Sequence, residues 1–144
     1  MNITIRNAEE SELDWINKKY DEVDFVHSNL EKELIAIAEV DGVRAGIGRL
    51  ISIDEKNGEL SGMYVFDEFR GMGVSRHIVS FLLENKGLTK RIFCLPFAHL
   101  EKLYQSFGFE RSESGQNLPK KVRDKFEWCN EHYKHEVLLL YRTI

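Results

Sequence analysis

The sequence has two cysteines, two prolines and no long apolar run, and each shortage removes a class of protein. Cys94 and Cys129 cannot build a disulfide framework, and Cys94 lies in an apolar run where a thiol behaves as a small hydrophobe. A reducing, cytoplasmic setting is therefore expected. No stretch approaches the roughly 20 apolar residues that span a bilayer, and the opening MNITIRNAEE lacks the basic flank and apolar run of an export signal. Neither membrane insertion nor export is expected. Basic excess is also missing: 20 Lys and Arg stand against 24 Asp and Glu, interspersed, for a formal net charge of −4. A nucleic-acid binder needs a basic face to displace counterions, so nucleic acid is a poor partner and a cationic small molecule or basic peptide a better one. With no internal repeat or low-complexity tract, residues 1–144 are expected to form a single domain.

What is present is an alternation of strand-like and helix-like segments. ITIRNA (Ile3 to Ala8) alternates as a half-buried strand does, and SELDWINKKY follows with Leu13, Ile16 and Tyr20 at helical intervals and Ser11 and Asp14 spaced as a capping box. ELIAIAEV, RAGIGRLISI and GELSGMYVF read as three strands of an antiparallel meander, divided by Asp41-Gly42 and by DEKNG, whose Asn57-Gly58 is a hairpin-turn signal. Val74, Ile78, Phe81 and Leu82 then form a helical stripe ending near Gly87, and RIFCLPF reads as a buried strand, which makes a parallel strand-helix-strand crossover. HLEKLYQSF is a helix closed by Gly108, FERSE a strand, the stretch from Pro119 to Tyr133 a helix with Val122, Phe126, Cys129 and Tyr133 on one face, and EVLLLYRTI a final strand. The fold expected is a mixed, mostly antiparallel α/β (α+β) sheet of six to seven strands flanked by helices, with an extra helix before the last strand.

The segment FRGMGVSRHI carries the chemistry. A glycine-rich turn from strand to helix leaves the first helical N–H groups pointing one way, with the positive end of the helix dipole behind them. Gly71 and Gly73 let the main chain approach an anion, Ser75 adds a hydroxyl and Arg70 a permanent charge. A pyrophosphate fits this description, although a tight turn alone also uses such glycines. Neither the Gly-Lys-Ser/Thr of a mononucleotide loop nor the third glycine of the dinucleotide fingerprint is present, which argues against ATP and NAD. Gly62, inside the preceding strand, is the kind of residue found at a bulge or where a ligand crowds the backbone.

MYVFDEFRGMGVSRHIVSFLL resembles the acyl-CoA pyrophosphate motif of the GNAT superfamily of N-acetyltransferases, Arg/Gln-x-x-Gly-x-Gly/Ala, with Arg70, Gly73 and Ser75 at its three positions and Ser in place of the usual Gly or Ala. LYQSFGFE (Leu103 to Glu110) is similar to the family's later Tyr-x-x-x-Gly-Phe motif, and IRNAEESELDWI to its opening strand and helix. The resemblance implies acetyl-CoA as acyl donor, bound by Met63, Tyr64, Val65, Arg70, Gly71, Met72, Gly73, Val74 and Ser75. It also implies a pantetheine arm lying along the main chain at Met63 to Val65, where the N–H of Val65 or Met63 polarises the thioester carbonyl as an oxyanion hole does.

Acetyl transfer to an amine needs a base to remove the ammonium proton and an acid for the departing thiolate. By resemblance Tyr104 is the acid; the same tyrosine also reads as an amphipathic core residue. Glu59 is the carboxylate nearest the family's base position, and equally a solvated residue at a hairpin exit; His99 is a second candidate base. Phe97 stands where many family members have Asn. The acceptor wall implied by the resemblance is YDEVDFVH, with Tyr20, Asp24 and Phe25 suited to a cationic amine, or else a solvated charge cluster. The helix from Lys120 to Tyr133 is either a lid over that pocket or added core. Cys129, His132 and His135 have a three-residue spacing, but with no fourth ligand evident and Cys129 on the apolar stripe no metal is expected. The expected function is an acetyl-CoA-dependent N-acetyltransferase acting on a small-molecule amine or a protein amino group by direct attack. The alternative is a non-catalytic acyl-CoA-binding or regulatory module. A homodimer is compatible with either.

Overall fold

The computed structural model describes residues 1–112 and 118–144. Its strands are β1 (Ile3–Asn7), β2 (Glu33–Val40), β3 (Val43–Ser52), β4 (Asn57–Val65), β5 (Arg91–Cys94), β6 (Glu110–Arg111) and β7 (Leu140–Thr143). Its helices are α1 (Leu13–Glu22), α2 (Val74–Glu84), α3 (Glu101–Gln105) and α4 (Lys120–His132). The strands form one seven-stranded sheet in the order β1-β2-β3-β4-β5-β7-β6. Pairing is antiparallel for β1 with β2, β2 with β3, β5 with β7 and β6 with β7, and parallel for β4 with β5. This is the mixed, mostly antiparallel sheet with an added helix before the last strand that the sequence pattern implied.

The chain divides into two compact units, one of Met1–Ile51 with Gly62–Gly87 and one of Ser52–Ser61 with Leu88–Ile144. In the first, the period-two alternation of β2 and β3 sorts side chains by size. Register pairs Ile37 with Ile47 on one face, and Ala36 with Gly48 and Ala38 with Gly46 on the other. The large face receives α1: Ile16, Tyr20, Ile35, Ile37 and Ile47 form a buried cluster joined by Trp15, Phe25, Tyr64 and Phe66. The small face receives α2, whose Ile78 stands where a Cβ on Gly48 would be. In the second unit, Leu60, Ile92, Phe93 and Leu140 are buried on neighbouring strands, and Val122 and Cys129 are the buried positions of α4.

Four local expectations change. The first helix is opened by a capping box at Glu9 and Glu12, not Ser11 and Asp14, through a short 3-10 turn at Glu10–Glu12. Glu12 reaches back to the Glu9 N–H at 3.0 Å and also takes two hydrogen bonds from Arg6, so a longer side chain does the capping and is anchored from the strand. Asn57-Gly58 does not form the β3 to β4 turn but begins β4. The turn is closed by the Asp54 carboxylate, which accepts from the Lys56 and Asn57 main-chain N–H groups and from the Asn57 side chain. The last strand starts at Leu140, four residues later than Glu136; ahead of it only a single bridge pairs Val137 with Phe97. Of the expected strand Phe109 to Glu113, Glu110–Arg111 is observed and Glu113 lies outside the described residues.

Candidate active site

In the first unit, β4 runs out through Met63, Tyr64 and Val65, all partly exposed, into a 3-10 turn at Asp67–Phe69 and then the glycine turn. Gly71 (φ 79°) and Gly73 (φ 82°) hold the left-handed conformation that disfavours a Cβ, and nothing lies within 4 Å of where a Cβ would be on either. The turn is thus open on its outer side. Gly73 is the N-cap of α2, an 11-residue helix with no acidic residue in its first turn and no side chain capping it. Val74 is buried and anchors the helix start, leaving Ser75 partly exposed on the first turn and Met72 exposed on the loop. The Arg70 side chain, 66% exposed, lies back along the loop, with its guanidinium 3.2 Å from Asp67 and its Nε donating to the Val65 carbonyl at 3.4 Å. A weakly held, exposed guanidinium beside an uncapped helix start is an arrangement that an anion can recruit.

In the second unit, Glu59 is not a solvated residue at a hairpin exit. It is 6% exposed on β4 and accepts a hydrogen bond from Lys125 Nζ at 2.6 Å, and the same ammonium donates to Ser61 Oγ at 3.3 Å. Burial without such a partner would strand a charge at a cost of several kcal/mol. Sequence reasoning missed Lys125, because its α4 helical face was judged by its apolar stripe and the pairing spans 66 residues. Tyr104 on α3 is 3% exposed and its hydroxyl hydrogen-bonds the Cys94 thiol, with Phe109 edge-on to its ring at 6.0 Å. Burial pushes the phenol well above its ordinary value, with Cys94 adding in the same direction. Burial likewise pushes the Cys94 thiol up. Both stay protonated at neutral pH.

The expected acceptor wall separates by burial. Tyr20 is fully buried, Phe25 is half-buried against it with ring centroids 5.9 Å apart, and Asp24 is exposed at φ 57°. His99 stacks on Phe97, and Phe97 also meets Tyr133 and His135 edge-on. His132 stacks on Trp128. Among the described residues no group of three or more His, Cys, Asp or Glu is placed to hold a metal, and no helix is long and apolar enough to cross a membrane.

A family model described as acetyltransferase (GNAT) domain matches residues 31–111, more than half of the chain, and takes in β2 to β6 with the glycine turn. No curated protein matches. Among solved structures, Rv2747 from Mycobacterium tuberculosis in complex with CoA is similar at TM-score 0.76 and 19% identity, covering 98% of this chain and 99% of its own. The ribosomal-protein-S18-alanine N-acetyltransferase from Escherichia coli is similar at TM-score 0.71 and 16% identity, covering 99% and 94%. N-acetylglutamate synthase from Neisseria gonorrhoeae, complexed with coenzyme A and N-acetyl-glutamate, is similar at TM-score 0.73 and 18% identity; this chain is covered to 99% but spans only 35% of that protein. The sheet order, the glycine turn at the head of α2 and the family match agree: the chain belongs to the GNAT acetyltransferase family.

Proposed function

We propose that the chain, acting as one acyl-CoA N-acyltransferase domain of residues 1–144, moves an acetyl group from acetyl-CoA to a primary amine by direct attack in a ternary complex. The observation that carries this is the open glycine turn at the head of α2, where two left-handed glycines with open space around them lead into a helix start that no side chain caps, next to the exposed Arg70. The CoA and acetyl-CoA named with the similar solved structures support the same cofactor.

In this scheme Arg70 and the main chain from Gly71 to Ser75 hold the pyrophosphate, and the main chain from Met63 to Val65 holds the pantetheine arm and the thioester. The amine nitrogen attacks the thioester carbon, the C–S bond breaks, and an amide and CoA form. Glu59 is the base that takes the ammonium proton before attack, Tyr104 the acid that gives its proton to the departing sulfur, and the second proton the nitrogen loses restores the Tyr104 hydroxyl. Of the proposed acceptor segment, Phe25 and the exposed Asp24 remain, while Tyr20 is fully buried with its hydroxyl on the Gly62 carbonyl. Both acceptor classes occur in the names of similar structures, a free amino acid in the N. gonorrhoeae synthase and a ribosomal protein's alanine in the E. coli enzyme.

A non-catalytic acyl-CoA-binding module is the second reading, favoured by one observation: the Glu59 carboxylate is closed on Lys125. Thiol release from acetyl-CoA, followed with a panel of free amino acids, polyamines and peptide N-termini, separates the two. The enzyme releases CoA in step with one amine, Glu59→Gln and Tyr104→Phe each lower that rate by about 10²-fold or more, and acetyl-CoA still binds both variants. A module binds acetyl-CoA and releases no thiol with any amine.

A further inference from the structure

Tyr20 was expected at the acceptor wall, yet its ring is fully buried and its hydroxyl donates to the Gly62 carbonyl at 2.7 Å. That bond crosses from α1 to the interior of β4, where Gly62 takes a φ of 63°. A left-handed residue inside a strand rotates the peptide that follows it out of the regular ladder. The structure closes around this rotation. A Cβ on Gly62 would lie 2.5 Å from the Tyr20 hydroxyl oxygen and 2.7 Å from Arg49 Nε. Arg49 is itself 3% exposed, with its guanidinium over the Tyr20 ring at 4.7 Å, its Nη1 donating to the Ser28 hydroxyl and lying 3.7 Å from the Glu33 carboxylate. Its Nε makes no hydrogen bond, and nor does Glu33 Oε1. A buried guanidinium N–H without a hydrogen bond is a cost that ordinary packing avoids, and Arg49 Nε bears it against Gly62.

The chain has no cis peptide bond among its described residues, so within the Gly62-Met63 peptide the C=O and the N–H point in opposite directions. Fixing the carbonyl toward α1 therefore fixes the Met63 N–H away from it. We propose that Tyr20 is a positioning residue: its hydroxyl clamps the Gly62 carbonyl so that the Met63 N–H is preset to receive the thioester carbonyl oxygen. Arg49 closes the pocket behind the clamp. This rests on the proposed acyl-CoA reading of β4. It assigns the polarising donor to Met63, in preference to Val65, and moves Tyr20 from the acceptor wall to the acyl site. A donor fixed before the reaction gains more as charge develops on the oxygen than one that must reorient. The clamp does not titrate in the working range, because burial keeps the Tyr20 hydroxyl protonated.

The test is the carbonyl stretch of acetyl-CoA labelled with ¹³C at the thioester carbonyl, measured by difference infrared spectroscopy on the native protein and on Tyr20→Phe. The native protein is expected to shift the band to lower wavenumber. Tyr20→Phe is expected to bind CoA within about 2-fold of native, lose most of that shift, and lower kcat at least about 10-fold with little change in the KM for acetyl-CoA. An equal shift in both proteins at equal CoA affinity overturns the clamp and leaves the acyl-CoA reading standing. Failure of the native protein to bind acetyl-CoA overturns both. A second measurement needs no variant: in ¹⁵N spectra of the native protein, the Met63 amide is expected to move on adding CoA, whose pantetheine arm lies beside it, and to move further, in a direction of its own, on adding acetyl-CoA. A Met63 amide that responds alike to the two ligands overturns the assignment.

Discussion

Gly73 and Gly62 share a left-handed backbone, at φ 82° and 63°, and nothing else. Around Gly73 there is open space, and its conformation turns the chain into α2 while keeping the loop free for an anion. Around Gly62 there is none, since Tyr20 and Arg49 occupy the volume that any side chain would need. In the proposed scheme the first glycine serves a surface that the cofactor completes, whereas the space around the second is filled by the protein itself. A flexible ligand with several contacts can be received by an open loop, but a single reacting carbonyl needs a donor fixed in advance.

That contrast can be broken by substitution. Gly62→Ala is expected to have the largest effect, about 3 kcal/mol or more off the unfolding free energy, because backbone strain and overpacking against buried Tyr20 and Arg49 act together. Gly73→Ala carries only the strain and is expected to cost about 1 kcal/mol, with a larger loss in acetyl-CoA affinity than in stability. Urea unfolding of the two variants measures the difference; equal losses would mean that the packing around Gly62 yields. The smallest effect sets the conditions for the comparison. Arg6 hydrogen bonds hold the Glu12 carboxyl down from its ordinary 4.5 to about 2, so the folded state keeps a charged carboxylate that the unfolded chain protonates. Its stabilisation is complete above about pH 4.5 and is lost as pH falls toward 2. Arg6→Ala is expected to flatten the acid limb of a pH-stability profile, and both glycine variants belong above that window.

Much of this was legible in the sequence, for reasons that differ by residue. Strand and helix order followed from periodicity, and the glycine turn from the residues themselves, because its conformation depends on local backbone chemistry between Arg70 and Ser75. Glu59 with Lys125, Tyr104 with Cys94, and Tyr20 with Gly62 were not legible as pairs, since each joins residues at least ten apart, one on a helix and one on a strand, whose proximity exists only once the helix packs on the sheet. Tyr20 is instructive. Its helical spacing marked it as apolar-face and its neighbours Asp21, Glu22 and Asp24 as polar, and the structure follows the spacing: the ring is buried while its acidic neighbours are exposed. The capping box shows the same limit at short range. Ser11 and Asp14 had the spacing, but Glu9 and Glu12 had in addition an arginine on β1 to hold Glu12.

The central claim is that the turn from Arg70 to Ser75 cradles the pyrophosphate of acetyl-CoA. Isothermal titration of acetyl-CoA into the native protein and into an Arg70→Ala, Gly73→Trp double variant tests it most directly, with thermal melts to show that the variant is folded. Binding by the native protein, with affinity reduced by about 10-fold or more in a folded variant, is the expected result. Equal binding by both proteins, or none by the native protein at millimolar acetyl-CoA, would contradict it and reduce the turn to a way of starting a helix.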